Sequence, residues 1–326
     1  MSVSICRPLF AVCLASLQVL MAAGAAAQGY PNRVIRMIVP LAAGGGTDVT
    51  GRIVSQKIAE QMGASIVVDN RPGAGSVIGT EIVAKSAPDG YTLMTISPEF
   101  SINPSLLRSL PYDPYKDFVC ISQLTSGQYF LSTHPSVPIR TVKDLVALAK
   151  AQPGRLTYGS SGNGSANHLS GVMFQGMTGT KLVHVPFKGA GPAGIALMSG
   201  EIDFMFSSTS AAIAYVKSGR LRAVAVTGPK RLSLTPDVPT VSESGVPGFV
   251  VTGWYLMMAP GGTPRDIIAK LNAEVTRAVH SAAVKDRFST LGTEPVGSTP
   301  EECAAFVRSE IQKWEKVVRA SGAKAD

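Results

Sequence analysis

Residues 34–62 read VIRMIVPLAAGGGTDVTGRIVSQKIAEQM. The run 34–39 is apolar and rich in β-branched residues, as a strand covered on both faces requires. Val49, Ile53, Val54, Ile58 and Met62 then recur at helical spacing, which predicts a helix over 49–61. The three glycines Gly44, Gly45 and Gly46, followed by Thr47 and Asp48, join the two. Strand, glycine-rich loop and helix in that order make one βα unit of a parallel sheet. At the start of such a helix the first N–H groups lack partners and the helix dipole is positive, so a glycine loop there can admit an anion to the backbone. Asp48 would repel that anion and is expected instead to cap a helix beginning at Val49.

The same rhythm continues outward. Strands are predicted over 66–68, 91–96 and 118–124, with a helix over 77–85 between the first two. Further strands follow over 129–133, 156–158, 182–185, 202–206 and 221–226, with helices over 142–151, 168–177 and 211–217. Thr141 with Asp144 three residues later is a capping-box pattern. The stretch 229–247 is rich in Pro, Ser and Thr and reads as a surface connection. A strand over 250–259 and two long helices, 264–291 and 300–321, close the chain, each helix opening on a first-turn proline. The expectation is an α/β protein with helices on both faces of parallel sheets.

The first 27 residues carry the three-part pattern of a secretory signal. Arg7 supplies the positive end, residues 9–23 an uncharged apolar run, and Ala25, Ala26 and Ala27 small residues for cleavage before Gln28. The remaining length suits two domains. Cys120 and Cys303 remain after cleavage. One pair is no disulfide framework, although an exported protein permits it, and the two read as buried free thiols. The net charge of +8 is dispersed and only 6% of residues are aromatic, which argues against a nucleic-acid surface and fits a mild positive field around an anion site.

Other chemistries find little support. Gly189-Ala190-Gly191-Pro192-Ala193-Gly194 has the spacing of a dinucleotide fingerprint, but its helix is short and the acids Glu201 and Asp203 arrive too early for a ribose contact. Ser161 and Ser165 lie near His168, which leaves a serine hydrolase as the alternative function, although no Gly-x-Ser-x-Gly elbow occurs. The four histidines are scattered without metal-ligand spacing, so neither metal nor cofactor is expected. A second polar glycine loop, residues 159–165, pairs with the first as the other half of a clamp for a small anion.

The chain resembles the Bug-type periplasmic receptors of tripartite tricarboxylate transporters. The resemblance runs in order through YPNRVIRMIVPLAAGGGTDVTGR, VVDNRPGAGSVIGTEIVAKSAPDGYTL, LPYDPYKDF, YGSSGNGSANHL, HVPFKGAGPA, GEIDFMF, GRLRAVAVTGPKR, LTPDVPTVSESGVPGF and WYLMMAPGGTPRDIIAKLNAEV. It implies a two-domain, type II periplasmic-binding-protein fold with a central cleft and two crossing hinge strands. The first domain would be residues 28–125 and 250–326, the second 126–249. It also implies a monomeric, periplasmic protein that captures a small organic anion or amino acid for membrane permease subunits, or for a sensor, and that is not an enzyme. Carried over by position, the ligand site would comprise Leu41, Ala42, Gly44, Gly45, Gly46, Thr47 and Asp48 in the first loop. Ser160, Ser161, Gly162, Gly164 and Ser165, with His168 behind them, would form the second. Lys188, Gly189 and Asp203 match further family positions, and Ser97 and Glu99 lie in the third-strand loop. Leu41 stands where the family usually has Phe, which alters the apolar wall. Glu99 departs from a usually uncharged position and reads either as a group favouring a ligand with a cation or as a solvated surface side chain.

Overall fold

The computed structural model describes residues 29–321, so the signal-like segment 1–27 lies outside the described residues. Strand β1 (Ile35–Val39) runs between two parallel neighbours, β2 (Ile66–Asn70) and β3 (Thr92–Ile96). Ile35, Met37, Ile38 and Val39 are fully buried, which explains why the run shows no polar alternation. Helix α1 occupies Gly46–Met62 and starts three residues earlier than its apolar periodicity predicts. It ends where Gly63 turns left-handed and its N–H reaches the carbonyl of Ala59. Helix α2 (Val77–Ala84) leads back toward β3.

A short helix, α3 (Glu99–Leu106), follows β3 and was not anticipated, because Pro104 inside it reads as a breaker. Strand β4 (Phe118–Thr133) then runs for 16 residues where the sequence suggests two strands. The polar Ser126-Gly127-Gln128 looks like a break, yet Gly127 is paired with Gly253 of β9 (Thr252–Pro260). From Phe118 to Gln128, β4 pairs with β9, which lies antiparallel between β3 and β4. From Tyr129 onward β4 pairs with β7 (Phe204–Ser208) and from Phe130 with β8 (Arg222–Val226). Strand β4 therefore crosses between two lobes of one curled sheet, and the chain returns to the first lobe at the start of β9.

The second lobe sets β5 (Thr157–Ser160) between β6 (Val183–Pro186) and β7, all parallel. Its helices are α4 (Val142–Ala151), α5 (Ala166–Thr178), α6 (Ala190–Ser199) and α7 (Thr209–Lys217). The capping box is present on α4: Asp144 N–H donates to Thr141 Oγ1 at 3.1 Å, and Thr141 N–H donates to Asp144 Oδ2 at 2.8 Å.

The expected single helix over 264–291 is two, α8 (Arg265–His280) and α9 (Ala282–Thr290), because Ser281 is extended at ψ 145°. The three-residue β10 (Thr293–Pro295) joins β4 and is too short to carry a pattern. Helix α10 (Pro300–Ser321) packs Val307 and Ile311 on the first lobe, and Trp314 and Val318 on a cluster that includes Tyr158, Phe174 and Phe206 of the second. Buried Glu310 accepts from the indole N–H groups of Trp254 at 2.8 Å and Trp314 at 3.2 Å. Cys120 of β4 is disulfide-bonded to Cys303 of α10, with Cα atoms 5.9 Å apart, which corrects the free-thiol expectation. Among the described residues no helix is long and apolar enough to cross a membrane.

Candidate functional site

The carboxyl ends of five strands and the loops after them, together with β4 and β9, enclose a cavity of about 30 Å³ between the lobes. The β1–α1 loop contributes Leu41, Ala42, Gly45, Gly46 and Thr47, and the β3–α3 loop Ser97 and Glu99. The second lobe contributes Ser161, Asn167, Ala190 and Ser208, and strands β4 and β9 contribute Tyr129 and Tyr255. Thus eight of the residues singled out in the sequence meet at one place. No lysine, arginine or histidine lines it.

Gly45 is the N-cap of α1 and no side chain caps this terminus. Asp48 is not the cap, because it lies inside the first turn and reaches back to the loop. Its Oδ2 accepts from Gly44 N–H at 3.0 Å, and its Oδ1 from Arg52 Nε at 2.9 Å and Asn70 Nδ2 at 3.0 Å. Burial pushes the Asp48 carboxyl up, but the bonds from Arg52, Gly44 and Asn70 outweigh this and hold it below the usual range. Asn70 Nδ2 also donates to Leu41 O at 3.0 Å. Asp48 is therefore a brace for the loop, with its charge turned away from the cavity onto Arg52.

Across the cleft, Ser165 Oγ caps α5 by accepting from His168 N–H at 3.2 Å. Gly164 N–H donates to His168 Nδ1 at 3.1 Å, and the His168 and His184 rings stack 3.9 Å apart. His184 Nε2 lies 2.6 Å from Ser160 Oγ, which is fully buried. Gly164, Ser165, His168 and Ser160 thus shape the loop from behind. His168 addresses neither the Ser161 nor the Ser165 hydroxyl as a base, so the serine–histidine pair of the alternative reading is not formed. Ser161 Oγ instead donates to Asn167 Oδ1 at 2.8 Å, and Asn167 Nδ2 donates to the carbonyl of Phe206.

Glu99 is buried at 4% exposure, not a solvated surface side chain. Ser97 Oγ donates to its Oε2 at 2.5 Å, and Thr47 Oγ1 donates to Ser97 Oγ at 3.0 Å. Its Oε1 lies 3.5 Å from Ser161 Oγ, so this carboxyl spans the two lobes. Burial pushes it above the usual carboxylate range, against the opposing hydrogen bonds from Ser97 and Ser161.

Asp203 is not in the cleft. It stands before β7, at the opposite end of the sheet, where it accepts from Thr157 N–H at 2.7 Å and Thr157 Oγ1 at 2.9 Å. Gly189 marks the contact between lobes, since a Cβ there would lie 2.7 Å from Ala42 Cβ, and one on Gly191 2.8 Å from Ala43 O. The fingerprint-like glycines thus let two backbones approach. Gly162 and exposed Lys188 line a neighbouring cleft of about 310 Å³ that shares Leu41 and Ser161 with the cavity. Gly44 lines a larger cleft of about 570 Å³, apolar for the most part, with walls that include Phe187, Met205 and Tyr215 and that shares Ala42, Ala190 and Ser208 with the cavity. Asn167, Ala190, Ser208, Tyr129 and Tyr255 were missed. Asn167 adjoined a flagged loop, but the others are ordinary strand-end or helix-start residues until the lobes are brought together.

The histidine stack predicts acid sensitivity. Burial pushes His168 down to about 4, and burial with the neighbouring His168 charge pushes His184 down to about 3. The folded state thus favours both rings neutral, and this contribution is complete above the unfolded value of about 6.5. As pH falls from there toward 4 the unfolded chain gains protons first, so stability declines by on the order of 2 kcal/mol after allowance for partial exposure. Denaturant melts between pH 7 and 4.5 should show this decline, and His184→Gln should roughly halve its slope. An unchanged slope in that variant would remove the histidines as its cause.

No cluster of three or more His, Cys, Asp or Glu side chains with metal-holding geometry occurs among the described residues. Residues 50–323 match the sequence model of the tripartite tricarboxylate transporter family receptors. Protein BugT of Bordetella pertussis is 39% identical over 305 residues, which span 93% of this chain and 94% of that protein. An adipate-bound protein of R. palustris superposes with a TM-score of 0.88 at 34% identity, over 90% of this chain and 99% of its own. Malate-bound MatC of Rhodopseudomonas palustris gives 0.85 at 33% identity, over 89% of this chain and 100% of its own.

Proposed function

The chain belongs to the tripartite tricarboxylate transporter receptor family, and from that premise we propose that it captures a small organic carboxylate between its lobes. The observation that carries this reading is the uncapped start of α1, with Gly45, Gly46 and Thr47 lining a cavity whose opposite wall is hydroxyls and an amide of the second lobe. Unpartnered N–H groups and the positive helix end favour an anion there without a basic side chain. The cavity admits a carboxylate-sized group. The rest of the ligand leads into the apolar cleft that shares Ala42, Ala190 and Ser208. Adipate and malate in the two structural relatives support this chemistry.

The lobes exchange where β4 changes partners, between Gln128 and Tyr129, and again just before β9, and closure is a hinge motion about these segments. Contacts from both sides of the cavity make the closed form the one a ligand stabilises. The chain acts as an exported monomer whose closed form is read by permease subunits or a sensor, and it performs no catalysis. The relation to BugD, a periplasmic binding protein in its solved form, supports export.

A thermal-shift screen of carboxylates alongside ester turnover tests the reading. A matching ligand at a thousandfold excess over its Kd should stabilise the fold by about 4 kcal/mol. Ester hydrolysis abolished by Ser161→Ala, or a screen in which no carboxylate raises the Tm, would overturn it.

A further inference from the structure

The hydrogen bonds through the cavity can be counted proton by proton. Thr47 Oγ1 donates to Ser97 Oγ, which donates to Glu99 Oε2. On the other side Asn167 must present Oδ1 to Ser161, because its Nδ2 is committed to the Phe206 carbonyl. A hydroxyl has one proton. The Ser161 proton lies on the 2.8 Å path to Asn167, so at 3.5 Å Glu99 Oε1 receives no close donor from Ser161. Glu99 thus has one close side-chain donor, Ser97, and its Oε1 borders the cavity without another.

The surroundings agree. The other titratable groups facing Glu99 are the phenols of Tyr129 on β4 and Tyr255 on β9. The carboxylate of Asp48 on α1 is engaged by Arg52 and Asn70. An ionised Glu99 would stand buried with no cation from the protein.

We propose that Glu99 is the specificity-determining residue and that its carboxyl receives an ammonium group, so that the ligand is an α-amino acid held by its head group. The inference rests on the carboxylate seat proposed at the start of α1. That seat and Glu99 share one cavity of about 30 Å³ and are linked through the single hydroxyl of Ser97. Two opposite charges confined so closely must be carried by one ligand carbon, as the α-carboxylate and α-ammonium are. On binding, the Glu99 proton leaves to solvent, and the resulting carboxylate pairs with the incoming ammonium. The amino acid's side chain then points to the apolar cleft.

Titration calorimetry at pH 7 in phosphate and in Tris, whose ionisation enthalpies differ, measures both affinity and proton release. Two matched pairs serve as probes: L-glutamate with glutarate, and L-leucine with 4-methylpentanoate. For at least one pair the amino member should bind 30-fold or more tightly than its partner and release close to one proton per site. Glu99→Gln should bring the members of that pair within about threefold and abolish the release. Equal affinity within each pair in the wild type, or an amino acid that binds without proton release, would overturn the proposal while leaving the carboxylate receptor intact. The same holds if neither pair binds but the thermal-shift screen finds another carboxylate. If no carboxylate binds at all, both readings fall. The wild-type comparisons decide the matter even if the variant does not fold.

Discussion

Gly46→Ala is expected to raise the dissociation constant for the best carboxylate of the screen by more than 100-fold, about 2.7 kcal/mol, and to lower the Tm as well. A Cβ at this position would lie 1.9 Å from the Tyr255 hydroxyl, 2.5 Å from Ser210 Oγ and 2.9 Å from Ser208 Oγ. The two serines belong to the second lobe, whereas Gly46 opens α1 in the first. Tyr255 is buried in the core of the first lobe, so its ring has little room to retreat. The added methyl therefore strains the first lobe against Tyr255 and also opposes lobe approach through the two serines, so affinity is compared on variant protein that still shows a cooperative melt. Gly45→Ala is the comparison. Its Cβ would meet Ala190 Cβ at 3.5 Å, an ordinary contact, and its effect on affinity should be smaller than that of Gly46→Ala. Binding by the Gly46 variant within threefold of wild type would refute the claim that this glycine sets the closing distance.

The contrast between these neighbours shows where sequence reading stops. The loop was legible because a strand, three glycines and an amphipathic helix follow one another within 29 residues. Which glycine is the more crowded depends on Tyr255, Ser208 and Ser210, each more than 150 residues away, and nothing local marks them. Asp48 shows the same limit on a smaller scale. Its position beside a helix start suggested a cap, but Asn70 and Arg52 draw its carboxylate backward onto Gly44. Asp203, carried over by position, turned out to fasten Thr157 at the far end of the sheet. For Glu99, a surface role and a cavity role were indistinguishable until the short α3, disguised by Pro104, turned the side chain inward. Long elements with a regular period, such as α4 and α10, were found nearly to the residue. Strand β4 was divided because a crossing strand must carry polar residues where the lobes meet.

The Cys120→Ala/Cys303→Ala variant should lose on the order of 2–5 kcal/mol of stability, which corresponds to a fall in Tm of about 5–10 °C for a chain of this size. The bond closes a loop across a sequence separation of 183 residues, and such a long loop places the entropic effect on the unfolded chain toward the upper end of that range. Cys120 is 4% and Cys303 0% exposed, so a reductant reaches the bond only as the protein opens. Calorimetry of the wild type with and without reductant should therefore separate mainly near the transition, whereas the double variant should be insensitive to reductant. Each single variant should lose nearly as much as the double, because one missing sulfur already breaks the link. The consequence reaches beyond the first lobe. The bond anchors the start of α10, whose later turns seat Trp314 and Val318 on the second lobe's core and place Glu310 between two indoles. Loosening that anchor should also make amide exchange faster along the first turns of α10 than in β1, which is held on both sides by parallel neighbours. Two free thiols in the purified, exported protein, titrated under denaturing conditions, or a Tm loss below 2 °C in the double variant, would show that the link does not carry this load.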